Sequence, residues 1–147
     1  MKTLVRDLLE SKGRFVLTIN AQKTALEALQ KMVDQDVGSI LVKAGDEIRG
    51  IFSDRDFLRR VVLNEDATEE STLNEVMTSE MIVVSETDSV QECMNIMTQK
   101  RIRHLPVVEQ GELKGIISIG DCVKSLSRQD EVRIKQLQSY ISGDYPG

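Results

Sequence analysis

The chain is poor in the residues that build several kinds of functional surface. Its 147 residues include no Trp, and Phe and Tyr together make up 3 %. That leaves no row of aromatic platforms on which unpaired bases stack. Lys and Arg number 19 against 24 Asp and Glu, a formal net charge of −5. An acidic chain of this kind lacks the basic stripe that a phosphate backbone needs, so nucleic acid is not an expected partner. There is one His, His104, and two Cys, Cys93 and Cys122, neither in a CxxC. These are too few ligands for a Cys/His metal centre. No nucleophile–base pair stands out either, so the chain is not read as an enzyme. The two thiols are expected to be buried and reduced, with a disulfide as the alternative. No apolar run approaches the roughly 20 residues of a membrane-spanning helix. The opening MKTLVRDLLESKG lacks the unbroken apolar core of a signal peptide, and a cytoplasmic location is expected.

What is present is a composition that can fold, 40 % apolar and 29 % charged, on a chain long enough to bury a core. It also carries an internal repeat. Residues 101–123 read RIRHLPVVEQGELKGIISIGDCV: two apolar strands joined by a Gly-containing turn, then a helix start with Ser118 at the N-cap and Asp121 three residues on. Residues 38–58, GSILVKAGDEIRGIFSDRDFL, repeat the pattern. Ser53 matches Ser118 and Asp56 matches Asp121, both at an offset of 65 residues. Ser-x-x-Asp at a helix start is an ordinary capping pattern, and it also presents a hydroxyl beside a carboxylate.

The elements follow in the same order in both halves. Residues 3–10 read as a short amphipathic helix and 15–19 as a strand. Thr24 reads as the cap of a helix with Ala25, Ala28, Leu29 and Met32 on one stripe. Strands are expected at 39–43 and 48–52, and a helix at 54–63. Residues 64–71, NEDATEES, are polar and without periodicity, a linker. Then come a short helix over 72–77, a strand over 82–84, a helix capped by Ser89 with Val90, Cys93, Met94 and Met97 inward, the second hairpin, and a helix over 119–127. Residues 129–141 have no counterpart in the first half and carry Ile134, Leu137 and Ile141 on one stripe of a further helix. The expected division is 1–66, 67–128, and a C-terminal helix and tail over 129–147.

Strand–helix–strand–strand–helix, twice, closed by GIFSDRD and by GIISIGD, resembles a tandem pair of cystathionine-β-synthase (CBS) domains. The resemblance covers about residues 1–128. It implies an α/β fold of two β-α-β-β-α repeats packed pseudo-symmetrically, with clefts that take adenosine-containing ligands: AMP, ATP, ADP, NAD(H) or S-adenosylmethionine. It implies a sensor or regulator that acts as a homodimer on a protein partner, rather than a catalyst with a cofactor. A ligand-independent adaptor, working through its dimer surface or the 129–141 helix, is the alternative.

A ribose diol suits one carboxylate, and ionised acceptors make the stronger hydrogen bonds. Ser53 with Asp56, and Ser118 with Asp121, are the expected ribose contacts. The resemblance places phosphate contacts at Arg103 and His104, serving the ligand whose ribose lies on Asp56. The matching residues of the first copy, Gly38 and Ser39, carry no charge, so the Asp121 cleft is expected to be poorer in cations unless Arg55 or Arg14 reaches it. Adenine is expected beside Val16, Thr18 and Ile40 in one cleft and Met81, Val83 and Pro106 in the other. Arg55 is balanced between ligand contact and a solvated helix start, and His104 between phosphate contact and strand packing. The Met94 and Met97 stripe reads as core.

Overall fold

The structure is a computed structural model and describes residues 2–128. The helix expected over 129–141 lies outside the described residues. The elements, in order, are α1 (Val5–Lys12), β1 (Thr18–Asn20), α2 (Ala25–Gln35), β2 (Ser39–Ala44) and β3 (Glu47–Ser53). Then come α3 (Asp54–Asp56, continuing as a π-helical stretch Phe57–Val62), α4 (Leu73–Val76), α5 (Val90–Lys100), β4 (His104–Glu109) and β5 (Glu112–Ser118). A last helix, α6, occupies 119–128 of the described residues.

The chain forms two compact units, residues 15–82 and, in the described part, residues 2–14 with 83–128. The leading helices are therefore exchanged: α4 packs with the elements of the first repeat and α1 with those of the second. Backbone hydrogen bonds fix both. In the first unit, Leu73 N donates to Lys23 O and Asn74 N to Ala21 O. In the second, Val5 N donates to Asp88 O and Arg6 N to Glu86 O. Each leading helix thus places its orphan N–H groups on the turn before the long helix of its unit.

The long helices begin as their sequences dictate. Glu27 N donates to Thr24 Oγ1 (3.1 Å), and Thr24 N to Glu27 Oε2 (3.3 Å), closing a capping box on α2. Glu92 N donates to Ser89 Oγ (3.1 Å) at the start of α5. The inward stripes are Ala25, Ala28 and Met32 on α2, and Val90, Cys93 and Met97 on α5, all buried. Both helices end on a left-handed residue that is not glycine, Asp36 (φ 53°) and Arg101 (φ 56°), again 65 positions apart.

In the first unit β1 pairs in parallel with β2, and β2 antiparallel with β3. In the second, β4 and β5 form the hairpin. The registers match: Ser39 faces Ser53 as His104 faces Ser118, and the ladder shifts at Val42/Lys43 as it does at Val107/Val108. The strand expected over 82–84 is reduced to one parallel bridge, Val84 to Val107, at the place of the Ile19–Val42 pair. The cause lies just beyond Val84. The Glu109 carboxylate accepts from Ser85 Oγ (2.7 Å) and Glu86 N (3.1 Å), so side-chain bonds replace further ladder pairing.

Each unit has its own core. In the first, Ile19, Met32, Ile40, Val42, Phe52, Val61, Leu73 and Val76 cluster, with the Phe57 ring edge-on to Phe52 at 6.5 Å. In the second, Val5, Leu9, Val90, Leu105, Val107 and Ile117 are buried. Each such side chain contributes about 1.5–3 kcal/mol when taken from water. Gly50 and Gly115, the first residues of the GIFS and GIIS motifs, both sit under a close neighbour, and only Gly50 meets backbone. A Cβ on Gly50 would lie 2.5 Å from the Thr78 carbonyl oxygen, whereas one on Gly115 would meet the end of the Leu9 side chain at 2.8 Å. Backbone cannot give way as a leucine methyl can. Gly50→Ala is therefore expected to cost about 1–3 kcal/mol, and Gly115→Ala clearly less, in urea unfolding. Equal losses would contradict this account of the two contacts.

Candidate ligand site at the two strand–helix junctions

Each hairpin ends where its second strand turns into a helix, and the turn is closed by reciprocal side-chain bonds. At the first junction Asp56 N donates to Ser53 Oγ (3.1 Å) and Ser53 N to Asp56 Oδ2 (2.9 Å). At the second Asp121 N donates to Ser118 Oγ (3.1 Å) and Ser118 N to Asp121 Oδ2 (2.8 Å). The capping role is thus realised twice in the same geometry. In each box one carboxylate oxygen, Oδ2, is held by the backbone. The neighbouring strand adds a carbonyl on each side: Asp54 N donates to Gly38 O (3.1 Å), and Ile119 N to Arg103 O (2.9 Å).

The two carboxylates differ in what else they touch. Asp56 Oδ1 accepts from Thr78 Oγ1 (3.3 Å) and lies 3.7 Å from Arg60 Nε one turn along α3. Thr78 N also donates to Ile51 O (2.9 Å). In the second unit the Lys12 ammonium serves the matching carbonyl, Ile116 O, at 2.7 Å and the matching carboxylate at 2.6 Å, there on Oδ2, the oxygen that Ser118 N also holds. One cation does there what a neutral hydroxyl and an amide do in the first unit. Neither Thr78 nor Lys12 stood out in the sequence. Lys12 lies 109 residues from Asp121, between the helix expected over 3–10 and the strand expected over 15–19. The signal was Gly13, which ends α1 at φ 103° and so leaves Lys12 in the last helical turn.

The expectation of a cation-poor Asp121 junction is therefore corrected, with Lys12 the cation. Arg14, one of the two arginines named as able to change that, instead pairs with Glu86 and donates to Lys114 O (3.4 Å). Partial burial works to raise the Asp121 carboxyl, but the hydrogen bonds from Lys12 and Ser118 outweigh it and hold the carboxyl below its ordinary value.

The other expected contacts are dispersed. Arg55 is half-buried in the first turn of α3, and His104 is half-buried and Arg103 exposed where β4 begins. Val16 is half-buried just before β1. Thr18 lines an open groove of about 650 Å³ with Asn20, Lys23 and Lys31, which includes neither Ser53 nor Asp56. Ile40, expected beside adenine, is 1 % exposed and belongs to the first core. Its strand is central in a three-stranded sheet, so residues 39–42 are buried on both faces. Pro106 is likewise buried, and its carbonyl accepts from Val84 N (3.0 Å). Met81 is half-buried and Val83 48 % exposed.

Among the described residues no cluster of three His, Cys, Asp or Glu could hold a metal. No helix there is long and apolar enough to cross a membrane. Cys93 and Cys122 are buried free thiols. Burial, then the proximity of Cys122 and nearby carboxylates, pushes Cys93 up to about 12, and burial and Asp121 push Cys122 up to about 11. Neither thiol forms thiolate near neutral pH.

Two pH effects follow. The Asp121 carboxyl ionises more readily folded than unfolded, so its contribution is complete above the ordinary 3.8 and is lost as pH falls through the lower folded value. The advantage of the wild type over Asp121→Asn should hold at neutral pH and narrow below about pH 4. A difference that stays constant through acid would contradict the ion pair. The thiols act at the other end: stability is unaffected below their ordinary 9.0 and falls above it, because the unfolded chain ionises first. A disulfide-exchange reagent at pH 8 should label neither thiol until the chain unfolds.

Comparison with known proteins agrees with this architecture. The CBS domain family matches residues 5–63 and 73–128. The chain is 30 % identical over 152 aligned residues to the mitochondrial CBS domain-containing protein CBSX3 of Arabidopsis thaliana, covering 97 % of this chain and 74 % of that one. Its fold superposes on a signal-transduction protein with CBS domains from Burkholderia ambifaria, with a TM-score of 0.80, 39 % identity, and 84 % and 93 % of the two chains covered. It also superposes on a CBS domain protein of Pyrobaculum aerophilum complexed with AMP, with a TM-score of 0.68, 27 % identity, and 80 % and 88 % covered. Two matched repeats, two identically closed junctions and these likenesses place the chain in the CBS domain family, as a tandem pair.

Proposed function

We propose that the chain is a regulatory module that binds an adenosine-containing ligand at its Ser-x-x-Asp junctions, with AMP the first candidate. The observation that carries this is the doubled junction. A capping need alone is met by any Ser, Thr, Asp or Asn, as α2 and α5 show with Thr24–Glu27 and Ser89–Glu92. Those two caps carry a glutamate at the third position, whereas both hairpin ends carry an aspartate there, following a serine at the end of a strand. One oxygen of each, Oδ2, is fixed by a backbone N–H. A fixed, ionised acceptor of that kind suits a vicinal diol. The relative from Pyrobaculum aerophilum, which carries AMP, supports the choice of ligand. Arg103 and His104 are proposed as phosphate contacts, with Arg55 beside the first junction. The working form is proposed to be a homodimer in the cytoplasm that signals to a protein partner.

AMP at a hundredfold above its dissociation constant should stabilise the chain by about 2.7 kcal/mol. That raises the melting temperature by roughly 5–10 °C for a domain of this size. Asp56→Ala and Asp121→Ala should each remove one class of site in titration calorimetry, and the double variant should bind nothing. Melting curves unmoved by AMP, ATP, NADH and S-adenosylmethionine would overturn the reading. Full binding by the double variant would overturn the assignment of the two carboxylates.

A further inference from the structure

We infer that the Asp121 junction selects a phosphorylated adenosine ligand over an uncharged one, and that Lys12 is the residue that sets this preference. The inference rests on the adenosine reading above and names the ligand class for one of its two junctions. The observation is the position of the Lys12 ammonium. It lies 2.6 Å from Asp121 Oδ2 and 2.7 Å from Ile116 O, with its side chain 33 % exposed and that of Asp121 24 %. A ligand diol on the other oxygen of this carboxylate finds an ammonium beside it, on the oxygen that Ser118 N also holds.

What the ammonium contributes depends on the ligand. A 5′-phosphate supplies a second anion within reach of a flexible four-carbon stem, so the ammonium can bridge carboxylate and phosphate. An uncharged nucleoside supplies none, and its binding gains nothing from the ammonium. The surroundings add to the bias. Lys12 and Asp121 open on a cavity of about 370 Å³ between α1 and α6, which also holds Lys124, Arg128, Ser11 and Asp7. That volume is at the small end of ligand sites. Three cations face two carboxylates there. One of those carboxylates, Asp7, already accepts from Leu4 N (3.0 Å) at the start of α1. Lys124 and Arg128 follow Asp121 at i+3 and i+7 on one face of α6, about 4.5 and 10.5 Å along the axis. They form a line of positive charge that leads away from the carboxylate, and Arg128 is steadied by a bond to Ser11 Oγ (3.2 Å).

The first junction lacks this device. Thr78 meets Asp56 with a neutral hydroxyl. The Arg60 guanidinium, 48 % exposed, stands 3.7 Å from Asp56, beyond hydrogen-bond distance, whereas Lys12 lies 2.6 Å from Asp121. The two junctions are thus alike in their capping boxes and unlike in the charge of their third donor.

The test is titration calorimetry with AMP and with adenosine, which differ only in the phosphate, on the full chain carrying Asp56→Asn to silence the first junction. AMP is expected to bind at least tenfold tighter than adenosine. Adding Lys12→Met should weaken AMP about tenfold and leave adenosine unchanged or tighter. Lys12→Gln should do the same, and Lys12→Arg should keep the preference. An AMP-to-adenosine ratio unaltered by Lys12→Met and Lys12→Gln, with both ligands still bound, would overturn this inference and leave the adenosine reading standing. Tighter AMP binding by Lys12→Met would also overturn it, since Lys12 would then only obstruct the carboxylate. Failure of the unmodified chain to bind either ligand would overturn both readings together.

Discussion

A carboxylate three residues after a serine closes each strand–helix junction, and the fold around it follows from making that closure geometrically possible. The closure needs a strand that delivers Ser53 or Ser118 at its last position, and a helix whose first free N–H groups face back toward it. The strand in turn needs the antiparallel partner that sets its register, Ser39 opposite Ser53 and His104 opposite Ser118. The glycine three residues before each serine lets a leading-helix segment approach closely, the Thr78 carbonyl at Gly50 and the Leu9 side chain at Gly115. A net of about 1 kcal/mol per cap is modest. The constraint is positional: it fixes a charged oxygen to within hydrogen-bond tolerance at the same point of two repeats.

The repeats share this scaffold while differing in what reaches the carboxylate. In the first unit the segment after α4 brings Thr78, which donates from backbone and hydroxyl. In the second the last turn of α1 brings Lys12, and one ammonium replaces both donors. The exchange of leading helices between repeats makes this possible, because it lets two segments of unrelated sequence occupy corresponding places. Two junctions alike in their capping boxes thereby differ in the charge of the donor that reaches each carboxylate.

Much of this was legible in the residues. The 65-residue offset, the two capped helices, the hairpins and the Ser-x-x-Asp ends depend on local chemistry: cap preference, apolar periodicity and turn glycines. The buried state of Cys93 followed from its place on the stripe of α5. What escaped was set by non-local contacts. Ile40 looked like a surface for a ring, but a central strand buries both faces, and its sequence cannot say which strand is central. The strand expected at 82–84 gave way to side-chain bonds from Glu109, which lies 25 residues beyond Val84. Lys12 meets Asp121 across 109 residues, and only the end of α1 at Gly13 hinted that it was helical at all.

The central claim is that the two junctions are ligand sites and not caps alone. Amide hydrogen exchange with and without saturating AMP tests it most directly, because it reads each junction separately without altering a residue. The account predicts slower exchange confined to the backbone around 53–56 and 118–121 and the strands beside them. Unchanged exchange at both junctions, with AMP demonstrably bound or with no binding at all, would contradict it.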